Sequence, residues 1–290
     1  MPRVSYTAPT TVDDAVKALA AAAGLAKVLS GGTDLLVQMK SGRMKPDLIV
    51  DTKRIPGMIG IREEGGYFII GAATPGAMIS AHEALEHAYP GIVEGIDLIG
   101  SQQIQGRCSI AGNLCNASPA ADSVPPVIAA RAAAVIAGPT GRREVPVEQV
   151  VTGPGRTSLQ KGEFVVEFKI PKPKARQADA YLRFIPRTEM DIAVVGCAVN
   201  VTLDASGAAT DACVVLGAVA PTQLVVADAA KALIGHKLDD ATLKALDAAA
   251  QAACKPITDK RGTIEYRTKV AGVLARRAAA IAYDRAASRA

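Results

Sequence analysis

Two small-residue segments, set about eighty positions apart, constrain this chain more than any other feature. The first is Ser30-Gly31-Gly32-Thr33-Asp34-Leu35-Leu36. The second runs from Ser109-Ile110-Ala111-Gly112-Asn113-Leu114 through Cys115-Asn116-Ala117-Ser118-Pro119 to Asp122. Each places glycine and short hydroxyl or amide side chains where backbone N–H groups can face an anion without a Cβ in the way. Neither has the Gly-Lys-Ser/Thr ending of a Walker loop or the spaced glycines of a dinucleotide fingerprint. One Gly-Gly alone is most often an ordinary turn. Two such segments suit an extended diphosphate gripped from both sides, and FAD is a ligand of that kind.

Composition narrows the field. At 290 residues the chain has room for two domains, and a hydrophobic share of 49% supplies a well-buried core. The net charge of +5 comes from scattered basic residues, and aromatics are only 3%, so little could stack on bases or track a nucleic-acid backbone. The cysteines Cys108, Cys115, Cys197, Cys213 and Cys254 form no C-x-x-C pair, so neither a zinc site nor a cysteine-ligated cluster is visible here. His82, His87 and His236 are too dispersed for a metal site. Met1 to Tyr6 shows no apolar signal region, and no apolar run is long enough to span a bilayer, which leads us to expect a cytoplasmic protein.

The opening reads as β-α-β: an extended Ser5–Pro9, a helix over 12–23 capped by Thr10 or Thr11 and ended by Gly24, and a strand at 27–30 entering the first glycine segment. A helical turn at 35–40 and a buried strand at 47–51 follow. Next come a hairpin of 59–63 and 67–71, a helix over 77–88, and another over 91–99. A short helix near Val124 is capped by Asp122 or Ser123; strands at 133–137, 143–147 and 164–170 complete this half. Pro171-Lys172-Pro173-Lys174-Ala175-Arg176 is the most linker-like stretch. Beyond it lie β-rich runs at 180–186, 192–203 and 210–219, then helices at 226–234, 241–253 and 264–287. Arg267, Arg276 and Arg277 are assigned to a solvated face of the last helix. The pattern is α+β.

With both segments placed on this layout, the chain resembles the FAD-binding medium subunit of the molybdenum hydroxylases, the carbon monoxide dehydrogenase, xanthine dehydrogenase and aldehyde oxidoreductase group. The resemblance covers nearly the whole length. It implies a two-part vanillyl-alcohol-oxidase-type FAD-binding domain over 1–175, divided into 1–57 and 58–175, and a flavoprotein C-terminal domain over 176–290 with a small antiparallel sheet and a helix bundle. It implies a non-covalent FAD on this chain, with 2Fe-2S clusters on a small partner subunit and a molybdopterin-type molybdenum cofactor on a large one, in a dimer of heterotrimers.

Carried over position by position, the resemblance makes Lys27, Val28, Leu29, Ser30, Gly31, Gly32, Thr33, Asp34 and Leu35 the first diphosphate segment. Ser109, Ile110, Ala111, Gly112 and Asn113, continuing to Cys115 and Asn116, form the second. Asp122 falls where the family sets a carboxylate on the ribose hydroxyls. Ile99 corresponds to an apolar wall beside the adenosine, Val165 to one near the isoalloxazine, and Arg183 or Phe184 to a residue close to the flavin ring. Arg187 with Asp191-Ile192-Ala193 resembles a segment beside the flavin. Relatives often carry Gly-Gly where this chain has Ala111-Gly112.

Simpler roles stand beside these. Asp34 and Asp122 can each cap the helix that follows, Cys115 can serve packing alone, and Arg187 with Asp191 can form a surface ion pair. A self-contained FAD-dependent oxidase or reductase of the same FAD fold is the competing functional reading, as is a non-enzymatic nucleotide-binding module.

Overall fold

The computed structural model describes residues 4–289; Met1 to Arg3, part of the N-terminal reading above, and Ala290 lie outside the described residues. The chain opens with β1 (Ser5–Thr7), α1 (Val12–Ala21), β2 (Ala26–Leu29), α2 (Leu35–Lys40) and β3 (Leu48–Asp51). Thr11 starts α1, its hydroxyl accepting the Asp14 N–H at 3.1 Å, and Asp13 and Asp14 favour the positive end of the helix. Ala15, Val16 and Leu19 repeat at helical spacing and face the core. The three strands form a parallel sheet in the order β1-β3-β2, so β2 delivers its C-terminal end at the sheet edge, where the first glycine segment begins.

One glycine departs from its expected role. Helix α1 stops at Ala21 and Gly24 is not left-handed. Instead Gly24 lies against Asp47: a Cβ there would sit 2.1 Å from Asp47 Oδ2, the atom that accepts the Leu25 N–H.

A hairpin of β4 (Ile61–Glu64) and β5 (Tyr67–Gly71) follows, then α3 (Gly76–Ser80), α4 (Glu83–Ala88), α5 (Pro90–Asp97), α6 (Gln102–Gln105), α7 (Ile110–Cys115) and α8 (Val124–Ala129). The single helix expected over 77–88 is two, because His82 takes an extended backbone and its Nδ1 accepts the Leu85 N–H, restarting the helix as an N-cap. Strands β6 (Ala133–Gly138), β7 (Gly141–Pro146), β8 (Val151–Gly153), β9 (Arg156–Thr157) and β10 (Phe164–Pro171) come next. They yield a five-stranded antiparallel sheet, β4-β5-β10-β6-β7, and a separate two-stranded ribbon of β8 and β9. Central strand β10 carries a bulge between Val165 and Glu167.

The remainder comprises β11 (Gln177–Phe184), β12 (Val195–Leu203), β13 (Ala209–Gly217), β14 (Leu224–Val225), α9 (Ala227–Leu233), α10 (Asp240–Ala253) and α11 (Ile264–Ser288). The four strands form an antiparallel sheet in sequence order. Their near-continuous apolar runs have a cause: both faces are covered. Ala198, Cys213 and Val215 join the core around α5 and α8, while Cys197, Val199 and Val214 join the core around α9 to α11. Helix α11 meets the sheet through Ala271, Ala275, Ala278, Ala279 and Ala282, all fully buried.

Arg267 is not on a solvated face. It is 4% exposed, donating to Val194 O at 2.7 Å and pairing with Asp259 at 2.7 Å. Arg276 and Arg277 are exposed. No helix among the described residues is long and apolar enough to cross a membrane.

Candidate functional site

Strand β2 ends at Leu29, and the chain turns at once through Ser30 to Asp34 into α2. Gly32 has φ +82°, a left-handed conformation open to glycine, and Leu29 and Leu36 pack beneath it. Gly31 is required for another reason: a Cβ there would lie 1.8 Å from the carbonyl oxygen of Arg107. Its Cα is thereby pressed against the backbone that leads into α7.

The second segment is a helix N-terminus rather than a glycine loop. Ser109 is the N-cap of α7, and its hydroxyl accepts the Gly112 N–H at 3.1 Å. Gly112 is helical, and a Cβ on it would meet only Ser109 Oγ, at 3.2 Å. Gly112 therefore has no positive φ, and the helix itself sets its backbone.

Two side-chain hydrogen bonds join the segments and their helices, and a third braces the second segment. The hydroxyls of Ser30 and Ser109 are 2.8 Å apart, and Gln38 Nε2 donates to Asn116 Oδ1 at 2.8 Å. Asn113 Oδ1 accepts from the Ser123 hydroxyl at 2.8 Å, tying α7 to α8.

Between the segments lies a cleft of about 580 Å³. Lys27, Val28, Ser30, Gly31, Gly32, Thr33, Asp34 and Leu35 line one side; Ser109, Ala111, Gly112, Asn113, Cys115 and Asn116 line another, with Ile99 and Val165 completing the walls. Among the described residues, the N–H groups of Gly31 to Leu35 and of Ser109 to Ala111 meet no protein acceptor. Thr52 Oγ1, also on the lining, is buried without a partner. Two rows of free donors and the cations of Lys27 and Lys161 make the cleft suited to an anion such as a diphosphate. The residues present fit FAD. The volume lies within the usual range for a small-molecule or cofactor site.

Other expected site residues lie elsewhere. Leu29 supports Gly32 from below, and Ile110 is buried in the core, so its contribution reduces to its backbone. Asp122, Arg183 and Phe184 do not line the cleft. Arg183 Nη1 contacts Asp122 Oδ2 at 2.7 Å, Tyr181 donates its hydroxyl to Asp122 Oδ1 at 2.9 Å, and Arg183 also donates to Leu98 O at 2.8 Å, next to Ile99. Asp122 thus braces the wall through Arg183 instead of presenting a free carboxylate. Burial raises its carboxyl to about 6, against the pull of Arg183 and Tyr181. It does not cap α8; neither does Ser123, whose side chain makes no cap bond. Asp34 likewise leaves α2 without a side-chain cap. Phe184 packs edge-on against Tyr266, 5.8 Å between ring centres. Arg187 and Asp191 pair at 3.2 Å, and Arg261 joins them at 3.2 Å, also off the lining.

A third wall went unforeseen. Gly155, Thr157, Leu159, Gln160, Lys161, Gly162 and Phe164, from ribbon β8–β9, the loop into β10 and the start of β10, also line the cleft. Gly155 and Gly162, both at positive φ, are the only sequence marks of this stretch. Glu163 on the same wall pairs with Arg143 at 2.8 Å, and that guanidinium holds its carboxyl below the ordinary range. Burial pushes the Cys108 thiol up to about 11 and Cys115 up to about 12, so neither is a thiolate at neutral pH.

Comparison with known proteins agrees with this architecture. The family model of the FAD binding domain in molybdopterin dehydrogenase matches residues 2–173, and that of the CO dehydrogenase flavoprotein C-terminal domain matches residues 180–282. The chain is 34% identical over 286 residues to the carbon monoxide dehydrogenase medium chain of Hydrogenophaga pseudoflava, covering 99% of each. It is 31% identical over 265 residues to the xanthine dehydrogenase FAD-binding subunit of Escherichia coli O157:H7, covering 91% of this chain and 90% of that one. A solved structure of carbon monoxide dehydrogenase from Hydrogenophaga pseudoflava, lacking the Mo-pyranopterin moiety of its molybdenum cofactor, matches with a TM-score of 0.93 at 35% identity over 98% of each chain. Fold and site together define a flavoprotein subunit of an oxidoreductase. The chain belongs to the family of FAD-binding medium subunits of the molybdenum hydroxylases.

Proposed function

We propose that this chain binds one FAD non-covalently in the cleft and serves as the electron-transfer flavoprotein of a multi-subunit molybdenum hydroxylase. The observation that carries this reading is the pair of acceptor-free amide rows joined by Ser30 and Ser109. The amides of Gly31 to Leu35 and of Ser109 to Ala111 would hold the diphosphate from two sides, with Lys27 and Lys161 adding charge. Ile99 and Val165 would offer apolar surface to the rings. When bound, FAD supplies the redox chemistry, accepting electrons from iron–sulfur clusters on a small partner chain and passing them to an external acceptor; the protein contributes position, desolvation and field. Residues 1–175 would form the two-part vanillyl-alcohol-oxidase-type FAD domain, in subdomains 1–57 and 58–175, and residues 176–290 the C-terminal domain. The large partner would carry the molybdenum cofactor, the complex being a dimer of heterotrimers in the cytoplasm.

Protonated Cys108 and Cys115 support non-covalent attachment. Acid denaturation of FAD-loaded protein should leave all flavin in the supernatant. Flavin retained on the polypeptide, or folded protein that takes up none, would overturn the assignment. A reduced iron–sulfur partner should then bleach the flavin absorbance. Turnover of an organic substrate by the single chain would instead favour a self-contained oxidase or reductase.

A further inference from the structure

Behind the first amide segment, away from the cleft lining, stands Lys53. Its ammonium donates to the carbonyl of Ser30 at 2.9 Å and to Asp51 Oδ1 at 2.7 Å. Asp51 is held in turn by the Tyr6 hydroxyl at 2.9 Å and the Lys53 N–H at 3.1 Å. Burial opposes the charge on Asp51, yet the Lys53 ammonium, the Lys53 amide and the Tyr6 hydroxyl together keep its carboxyl below the ordinary range. Only 24% of the Lys53 side chain is exposed, so its position is defined by these partners.

The geometry of one peptide unit gives this contact its meaning. The carbonyl of Ser30 and the N–H of Gly31 belong to the same planar trans peptide and point in opposite directions. A cation fixed on the carbonyl therefore fixes the N–H on the far side. That N–H has no protein acceptor among the described residues, and Gly31 lines the cleft. Contact with the Arg107 carbonyl leaves the Gly31 Cα no room to swing away.

We propose that Lys53 is a positioning residue for the FAD diphosphate: anchored by Asp51 and Tyr6, it locks the Ser30–Gly31 peptide with its N–H turned into the cleft. The inference rests on reading the cleft as the FAD site. It adds that the affinity depends on a side chain outside the cleft, acting through backbone orientation rather than through contact with the ligand.

The test is FAD affinity of the purified full chain, read by quenching of flavin fluorescence, for wild type, Lys53→Met, Lys53→Arg, Lys53→Gln and the exposed control Lys17→Met. Melting temperatures of the cofactor-free proteins report folding. Lys53→Met should bind FAD about tenfold or more weakly, the scale of one charge-assisted hydrogen bond. Lys53→Arg should restore affinity to within about threefold of wild type, since it keeps a charged donor on the Ser30 carbonyl. Lys17→Met should match wild type. The loss should persist at about 1 M salt, where the screening length is about 3 Å and a through-space charge effect would vanish. Lys53→Met binding like wild type, Lys53→Arg as weak as Lys53→Met, or a loss abolished by salt would each overturn the proposal. If Lys53→Met does not fold, the comparison of Arg with Gln decides: Gln must bind more weakly, and equal affinities overturn it. Wild-type protein that binds no FAD sinks the reading of the cleft itself, a result separate from any of these.

Discussion

Ser30 Oγ and Ser109 Oγ lie 2.8 Å apart, so the turn after β2 and the start of α7 share one hydrogen bond between residues 79 positions apart in sequence. Ser109 has a second duty as the N-cap of α7, through the N–H of Gly112. Ser109→Ala loses both contacts and should cost about 1 kcal/mol of stability, the usual value of a lost cap. Ser30→Ala loses the link between segments and a long contact at 3.4 Å to the Ala72 carbonyl but no helix cap, and should cost less, while both should weaken FAD binding. Urea unfolding alongside FAD titration checks the pair; equal destabilisation would show that the cap contributes nothing.

Two glycines of the proposed diphosphate segments should respond differently. Gly31→Ala brings a methyl to 1.8 Å from the Arg107 carbonyl, so the backbone must move. It should lose FAD and several degrees of melting temperature. Gly112→Ala meets only Ser109 Oγ at 3.2 Å, and alanine in a helix gains up to about 1 kcal/mol over glycine, so this variant should fold at least as well as wild type. Gly112→Val adds bulk where the ligand would lie and should fold without FAD. Full FAD occupancy in Gly112→Val would remove α7 from the cofactor site.

Asp179 sets a dependence on pH. It is fully buried on β11, its Oδ1 accepting the Gly91 N–H at 3.0 Å while Oδ2 has no partner. Burial raises its carboxyl from 3.8 to about 7, the Gly91 N–H opposing the shift and nearby Glu94 adding to it. The native chain thus holds this proton more tightly than the unfolded chain does. Its contribution is greatest at low pH and is lost as pH rises through the interval between those two values. Asp179→Asn keeps the acceptor for Gly91 and removes the charge. It should raise the melting temperature by a few degrees near about pH 8 and change little near about pH 4, where wild type is already neutral. A gain of the same size at both values would refute the assignment.

Arg267 should prove structural. Replacing it with Met leaves the buried carbonyl of Val194 without that donor, while Asp259, on the surface, keeps the Arg261 N–H; the cost should be about 1–3 kcal/mol, the range for a buried group left unpaired. Exposed Arg277→Ala, about three turns further along α11, should change stability by no more than about 0.5 kcal/mol. Comparable losses from both would contradict the burial of Arg267.

What could be read from sequence was local. Ser30 to Leu35 and Ser109 to Asn116 announce themselves because free amides demand glycine and small polar residues in unbroken stretches. The β-α-β opening shows through the spacing of Ala15, Val16 and Leu19. Contacts between distant residues left no such trace. His82 splits a continuous helical pattern by capping with its ring, a role any exposed histidine could have. Arg267 looks solvated because its partners, Val194 and Asp259, lie in loops outside α11. Asp122 resembles a ligand or a cap until Tyr181 and Arg183, about sixty positions on, engage it. The wall from Gly155 to Phe164 is set by where a short ribbon happens to pack, which no periodicity records.

That ribbon has a thermodynamic consequence. With three residues in β8 and two in β9, it cannot stand alone, and the other walls come from β2 and α7. The cleft therefore has no counterpart in the unfolded chain, and any molecule that fills it binds the native state alone. Such a ligand behaves as a folding reagent. Free FAD at a hundred times its dissociation constant should add about 2.7 kcal/mol to global stability, and cells short of flavin should accumulate less of the protein in proportion.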